Sequence, residues 1–132
     1  SYTDSRLGVC YSRYSGCQTN GQTDANWFVN EFDIEFDSTR NWYFGTLAPA
    51  SNQFDFESVA THELGHGHQL GHVRASEKVM HYSIGNGQRK PELSTTDIAA
   101  GDYVRTKSVT NAICSKGKMT AGICVFSPPV AN

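Results

Sequence analysis

The sequence predicts an α+β domain: strands first, then a histidine-bearing helix, an irregular stretch and a closing helix. Three observations carry this reading. Residues 32–37 alternate apolar and acidic side chains, apolar residues recur at helical spacing after Asp55, and a second capped helical pattern begins at Ser94. At 132 residues the chain fits one domain, 1–132, long enough to bury a core. Its 38% hydrophobic content excludes a disordered chain, and a net charge of -2 gives no electrostatic reason for nucleic acid or an anionic membrane as partner. No apolar run is long enough to span a bilayer.

Taken in order, residues 16–26 (GCQTNGQTDAN) are rich in Gly, Asn, Gln and Thr and read as loop. In the next stretch, FDIEFD, Phe32, Ile34 and Phe36 alternate with Asp33, Glu35 and Asp37, the period-2 pattern of a half-buried strand. NWYFGTL, residues 41–47, is a second strand candidate after the turn-like Asp37-Ser38-Thr39-Arg40. Asp55 stands where a helix N-cap belongs, ahead of Phe56, Val59, Ala60 and Leu64, and this helix is expected to run to about position 70. Ser94 and Asp97 form a capping box with Asp in place of Glu, and Ile98, Ala99, Ala100, Tyr103 and Val104 are the expected buried face of the closing helix. The tail CSKGKMTAGIC reads as a turn centred on Gly117, with a hairpin held by its two cysteines as one form of it.

Cys10, Cys17, Cys114 and Cys124 form two close-spaced pairs, and four cysteines allow three connectivities. The preferred pairing is Cys10–Cys17 with Cys114–Cys124, each closing a short local loop. The absence of a CxxC spacing weakens a thiolate-metal reading, and an even count without metal spacing points to an oxidising compartment, hence to a secreted protein. The chain opens at Ser1 without a signal-peptide pattern and reads as a mature or trimmed product.

The chemistry concentrates in HELGHGHQLGH, residues 62–72. His62 and His66 stand at i and i+4, one turn apart on one helical face, so both imidazoles point at one ion. Glu63 lies roughly 100° round the helix from His62, displaced from the ion but within reach of a water upon it. That is the mechanical content of HExxH: two zinc ligands and a general base. His72 would sit about 15 Å along a continuous helix from His62. To join the same ion the chain must break after His66, with Gly71 and Gly67 as candidates for the break. Three histidines and an open position are the coordination of a catalytic zinc; structural zinc is closed by four protein ligands. His68, roughly 240° from His62, reads as a surface or packing residue, and His81 as structural support.

HELGHGHQLGH resembles the extended zinc motif of the metzincin metallopeptidases, HExxHxxGxxH, whose members place a methionine turn beneath the zinc. Met80-His81-Tyr82 follows His72 after seven intervening residues, similar to the short spacing of the matrixins. DFESVATHELGH and LSTTDIAAGDYV also resemble matrixin-type catalytic domains, and the likeness covers roughly residues 30–105. Two features depart from the family. Gln69 stands where relatives turn on glycine, so either Gln69 takes an uncommon backbone conformation or the turn moves to Gly71. Only 61 residues precede His62, which reads as a minimal version of the domain or as one lacking an N-terminal piece.

The resemblance implies a small metzincin-like fold with a short mixed sheet, an active-site helix, a Met-turn and a C-terminal helix. It implies a secreted zinc endopeptidase acting on polypeptide. His62, His66 and His72 would hold Zn2+, Glu63 would act as general base and then acid, and Met80 would form the apolar floor. Tyr82 is similar to the tyrosine that astacins and serralysins bring to zinc as a movable ligand; the competing reading is a packed tyrosine. Substrate is expected along an edge strand at residues 42–47, with specificity from residues 83–92, whose IGNGQRK reads as an exposed, adaptable loop. Calcium is a secondary cofactor candidate through Asp24, Asp33, Glu35, Asp37 and Asp55, but no EF-hand pattern is present and no site is assigned. Two alternatives stand beside this reading: a gluzincin-type peptidase ligated by Glu77 or Glu92, and a non-catalytic secreted zinc-binding or adhesive module.

Overall fold

Residues 5–17 and 26–110 are described by the computed structural model. Strand β1 (Gly8–Cys17) pairs antiparallel with β2 (Asn26–Phe36), and the ladder slips at Arg13/Tyr14, where Asn30 is left between the partners of those two residues. The period-2 expectation for residues 32–36 is met, because Phe32, Ile34 and Phe36 share the face that looks toward the histidine helix. Asp37 departs from the pattern. It lies just past the strand and is buried, accepting from Thr39 N (3.0 Å), Thr39 Oγ1 (2.7 Å) and Arg40 Nε (2.8 Å). The Thr39 hydrogen bonds, more than the Arg40 charge, hold its carboxyl below the usual carboxylate range.

Strand β1 departs from the sequence expectation: its first residues carry no clear signal, and its end falls in the stretch 16–26 that predicts loop. Gly8, Cys10, Ser12 and, after the bulge, Tyr14 turn toward the histidine helix, while Tyr11 and Arg13 face outward, Arg13 pairing with Glu31 at 3.0 Å. Residues 41–47 yield only the two-residue β3 (Trp42–Tyr43), parallel to the equally short β4 (Phe54–Asp55). The expected single mixed sheet is therefore two separate two-stranded sheets among the described residues, one antiparallel and one parallel.

Helix α1 (Phe56–Gly67) starts where the sequence places it. Asp55 is its cap, fully buried, its Oδ2 accepting from Ser58 N (3.0 Å) and Ser58 Oγ (2.6 Å). Around that first turn an aromatic cluster forms on Phe56, with Phe36, Trp42 and Phe44 at ring separations of 4.7, 5.5 and 4.9 Å. Val59, Val79 and Met80 supply the buried aliphatic core among the described residues. Leu64, counted with the apolar stripe, is instead 45% exposed.

Helix α2 (Thr95–Thr110) carries the predicted capping box: Ser94 N donates to Asp97 Oδ2 (2.8 Å) and Asp97 N donates back to Ser94 Oγ (3.3 Å). Its expected buried face is not buried, with Ile98 50% and Tyr103 65% exposed. Helical periodicity reports that a face is apolar, not that a partner covers it.

The preferred Cys10–Cys17 disulfide does not form, and Cys10 is free. Both cysteines lie on the single extended strand β1, seven residues apart. At strand rise that is about 23 Å, against a Cα separation of at most about 7 Å across a disulfide. Cys114 and Cys124, with the predicted tail turn, lie outside the described residues, as does Asp24. No helix among the described residues is long and apolar enough to cross a membrane.

Candidate active site

The helix breaks at the position the family comparison makes suspect. α1 ends at Gly67 with His68 as C-cap, three residues earlier than expected, and Gln69 then takes φ of 66°, the left-handed region. Leu70 N bonds to Gly65 O (3.0 Å) and Gln69 N to His66 O (2.8 Å), the paired closure of a Schellman motif. Glycine usually supplies that conformation at no steric cost. Here the glutamine side chain compensates. Its Nε2 is shared among Ser12 Oγ (3.1 Å), His66 O (3.1 Å) and Gly67 O (3.2 Å), while Tyr14 Oη donates to its Oε1 (2.5 Å). Gln69 thus covers the open carbonyls of the helix end and ties that end to β1. The turn has not moved to Gly71.

Beyond the turn the chain folds back. Val73 N bonds to Met80 O (2.9 Å) in an isolated parallel bridge with His81, and this contact returns His72 to the helix. The Nε2 atoms of His62 and His66 lie 3.2 and 3.1 Å from that of His72. Their outer nitrogens are fixed by carbonyls, His62 Nδ1 on Val79 O and His66 Nδ1 on Leu70 O, both at 2.8 Å. A carbonyl only accepts, so each Nδ1 carries the hydrogen and each Nε2 turns a lone pair toward the same point. Burial lowers the pKa of His62 and of His72, favouring the neutral, ligating imidazole.

The donor set fits a zinc ion. Ligand nitrogens about 2.05 Å from a tetrahedral centre stand about 3.3 Å apart, close to the spacings found here. These three residues are the one group of histidine, cysteine and carboxylate side chains among the described residues gathered closely enough to hold a metal. No such grouping forms around Asp33, Glu35, Asp37 or Asp55, nor around Glu77 or Glu92.

Glu63 is 5% exposed, and burial pushes its carboxyl up. β1 closes over it: a Cβ built on Gly8 would meet Glu63 Cγ at 3.0 Å and Oε1 at 3.1 Å. Met80 is buried against Gly65, where an added Cβ would stand 2.2 Å from its sulfur. Sequence reasoning placed Met80 but missed both glycines. The signal for Gly65 was present, as a residue without a side chain between two candidate ligands of one helix. His68 lies outside the cleft, and His81 bonds Val73 O through Nδ1 (3.2 Å) instead of joining the cluster. Tyr82 borders the cleft, 65% exposed, its ring 4.2 Å from that of His81.

The cleft, about 860 Å³, is walled by Arg6 to Cys10, Ser12 and Tyr14 on one side and residues 81–86 with Lys90 on the other. None of residues 42–47 borders it, which overturns that segment as the substrate strand. β1 is the strand that does, and among the described residues only one of its edges is paired. The expected adaptable loop is anchored. Gly87 N bonds to Gln53 O (2.9 Å), Lys90 N to Ser58 Oγ (2.6 Å), and the Arg89 guanidinium joins Thr46 O and Glu57.

Comparison with known proteins agrees with this geometry. The matrixin family model matches residues 17–104. Metalloendoproteinase 2-MMP of Arabidopsis thaliana is 33% identical over 75 residues, covering 54% of this chain and 20% of its own length. Metalloendoproteinase 5-MMP of the same plant is 36% identical over 75 residues (57% and 18%), and metalloendoproteinase 1 of Glycine max 39% identical over 66 (48% and 22%). The chain thus matches about one fifth of the length of these relatives. No solved structure matches. With two thirds of its length under that family model, the chain belongs to the matrixin family.

Proposed function

We propose that the chain is a zinc-dependent endopeptidase domain, spanning 1–132, that hydrolyses peptide bonds with Glu63 as its proton-transfer group. One observation carries this: three imidazole nitrogens converge beside a buried carboxylate in an open cleft. Structural zinc has no use for such a carboxylate. His62, His66 and His72 would hold the ion. Zinc bound there would acidify a water and polarise the scissile carbonyl. Glu63, held under Gly8, takes the proton of the attacking water and returns it to the leaving amine. Met80 binds no ion and sets the floor against Gly65. The substrate backbone would lie extended along the edge of β1 that no strand among the described residues pairs, a largely sequence-independent mode of recognition. Tyr82 is assigned to the reaction as a phenol that contacts the substrate carbonyl or the ion. The secreted location belongs to this reading, although its cysteine argument has lost the Cys10–Cys17 pair.

The test is digestion of casein and of denatured protein by zinc-loaded protein, with and without a chelator, beside Glu63→Ala. Expected is chelator-sensitive cleavage that falls by about 10²-fold or more in Glu63→Ala with zinc content unchanged. Zinc binding without cleavage in wild type and variant alike would favour the non-catalytic module. Tyr82→Phe should lower turnover and leave zinc content intact; unchanged turnover removes Tyr82 from the mechanism.

A further inference from the structure

The cleft has a charge balance opposite to that of the chain. Net charge is -2, yet among the described lining residues Glu63 is the one carboxylate, facing the cations Arg6, Arg40 and Lys90. Arg40 is engaged by Asp37 at 2.8 Å, and Arg6 has interactions of its own. Lys90 differs from both. Its backbone is fixed on the start of α1, and its ammonium donates to Ser83 O at 3.1 Å. None of the ion pairs formed among the described residues includes it. An ammonium has three hydrogens to donate, so Ser83 leaves it capacity for an anion. Lys90 lines the same cleft as His62, Glu63 and His72, across from β1. Burial pulls Lys90 below the usual lysine range, and the charge of Glu77, which does not line the cleft and forms no ion pair with the lysine, offsets this only in part.

We infer that Lys90 forms a carboxylate-binding subsite, so that the cleft selects peptides carrying a glutamate or aspartate side chain beside the scissile bond. This deepens the peptidase reading and rests on it. A partly buried ammonium, in a cleft whose described lining holds one carboxylate, recovers lost solvation from a substrate carboxylate, whereas the isosteric amide returns little of it. The chain's own backbone holds Lys90 in place, so little ordering remains to be done when the substrate arrives.

The experiment uses peptide pairs that differ only by Glu or Gln at one position flanking the bond, cleaved by the zinc-loaded protein. Expected is a roughly three- to tenfold higher kcat/KM for the Glu member at one position, shrinking as salt is raised. Lys90→Arg keeps the preference, Lys90→Met brings the ratio to about one, and Lys90→Glu shifts it toward Lys-containing peptides. A ratio of one or below at every position overturns the subsite, as does a preference undiminished in Lys90→Met. The salt titration of the wild type reads the subsite even where a variant fails to fold. If the wild type cleaves no peptide, the peptidase reading fails, and the subsite is decided by fluorescence anisotropy of the same labelled pairs. Tighter binding of the Glu member that Lys90→Met abolishes upholds it, and equal binding rejects it.

Discussion

The two ends of helix α1 are built by opposite means. At the N-terminal end an aspartate cap and a first-turn serine follow local preference, and distant contacts are added to them by the aromatic cluster, Lys90 and Arg89. At the C-terminal end a glutamine sits where backbone sterics favour glycine, and distant residues hold it there: Ser12 and Tyr14 from β1. The backbone of the first end is one its own residues prefer; the backbone of the second is held against local preference by tertiary contact. The candidate metal site lies toward the second, since His66 belongs to the last turn and His72 depends on the break after it.

Removing the metal should separate the two ends most. Without an ion, His72 Nε2, 3.1–3.2 Å from the lone pairs of His62 and His66, can give a hydrogen to only one of them at a time. Chelation of the zinc-loaded protein is expected to cost several kcal/mol of stability, since metal binding is folding free energy at such sites. By hydrogen exchange, amides of residues 66–73 should lose protection far more than those of residues 57–61. Equal loss along the whole helix would mean that the ends are not independently held.

Gly65→Ala strikes between the ends. The new methyl would occupy the place of the Met80 sulfur, and overpacking of this kind costs about 1–3 kcal/mol. Because Val79 O holds His62 Nδ1, displacement of Met80 should also weaken zinc binding, measured by competition with a chelator. A variant with wild-type affinity would show that Met80 yields without moving its neighbours. Asp55→Ala, at the N-terminal end, removes the cap from Ser58 and should cost about 1–2 kcal/mol in urea unfolding. Zinc affinity should hardly change, in contrast to Gly65→Ala.

The same contrast explains what was legible in the sequence. Asp55, Ser94 with Asp97, and the alternation of residues 32–36 are local signals, and each led to the right element. HELGHGHQLGH named the converging histidines because helical spacing and the resemblance agree. β1 was missed because its order comes from pairing with β2 and from packing of Gly8 on Glu63, both distant in sequence. The same blindness put substrate at residues 42–47, misjudged the tethering of residues 85–90, and assumed cover for the apolar face of α2. What a short window does not contain is the partner.

Gln69→Gly carries the smallest expected effect, and with Gln69→Ala it gives the most exacting test of the comparison. Gln69→Ala keeps the left-handed strain and loses the side-chain bonds to Ser12, Tyr14 and two carbonyls, so it should cost about 1–2 kcal/mol. Gln69→Gly loses the same bonds but removes a strain of about 1–2 kcal/mol, so its net change should lie near zero. If tertiary contact is what holds this end, the double variant Gln69→Gly, Tyr14→Phe should add nothing to the single one, because the phenol has already lost its acceptor. Additive losses would mean that Tyr14 acts elsewhere. A Gln69→Gly protein clearly less stable than Gln69→Ala would show that the left-handed turn costs this chain nothing.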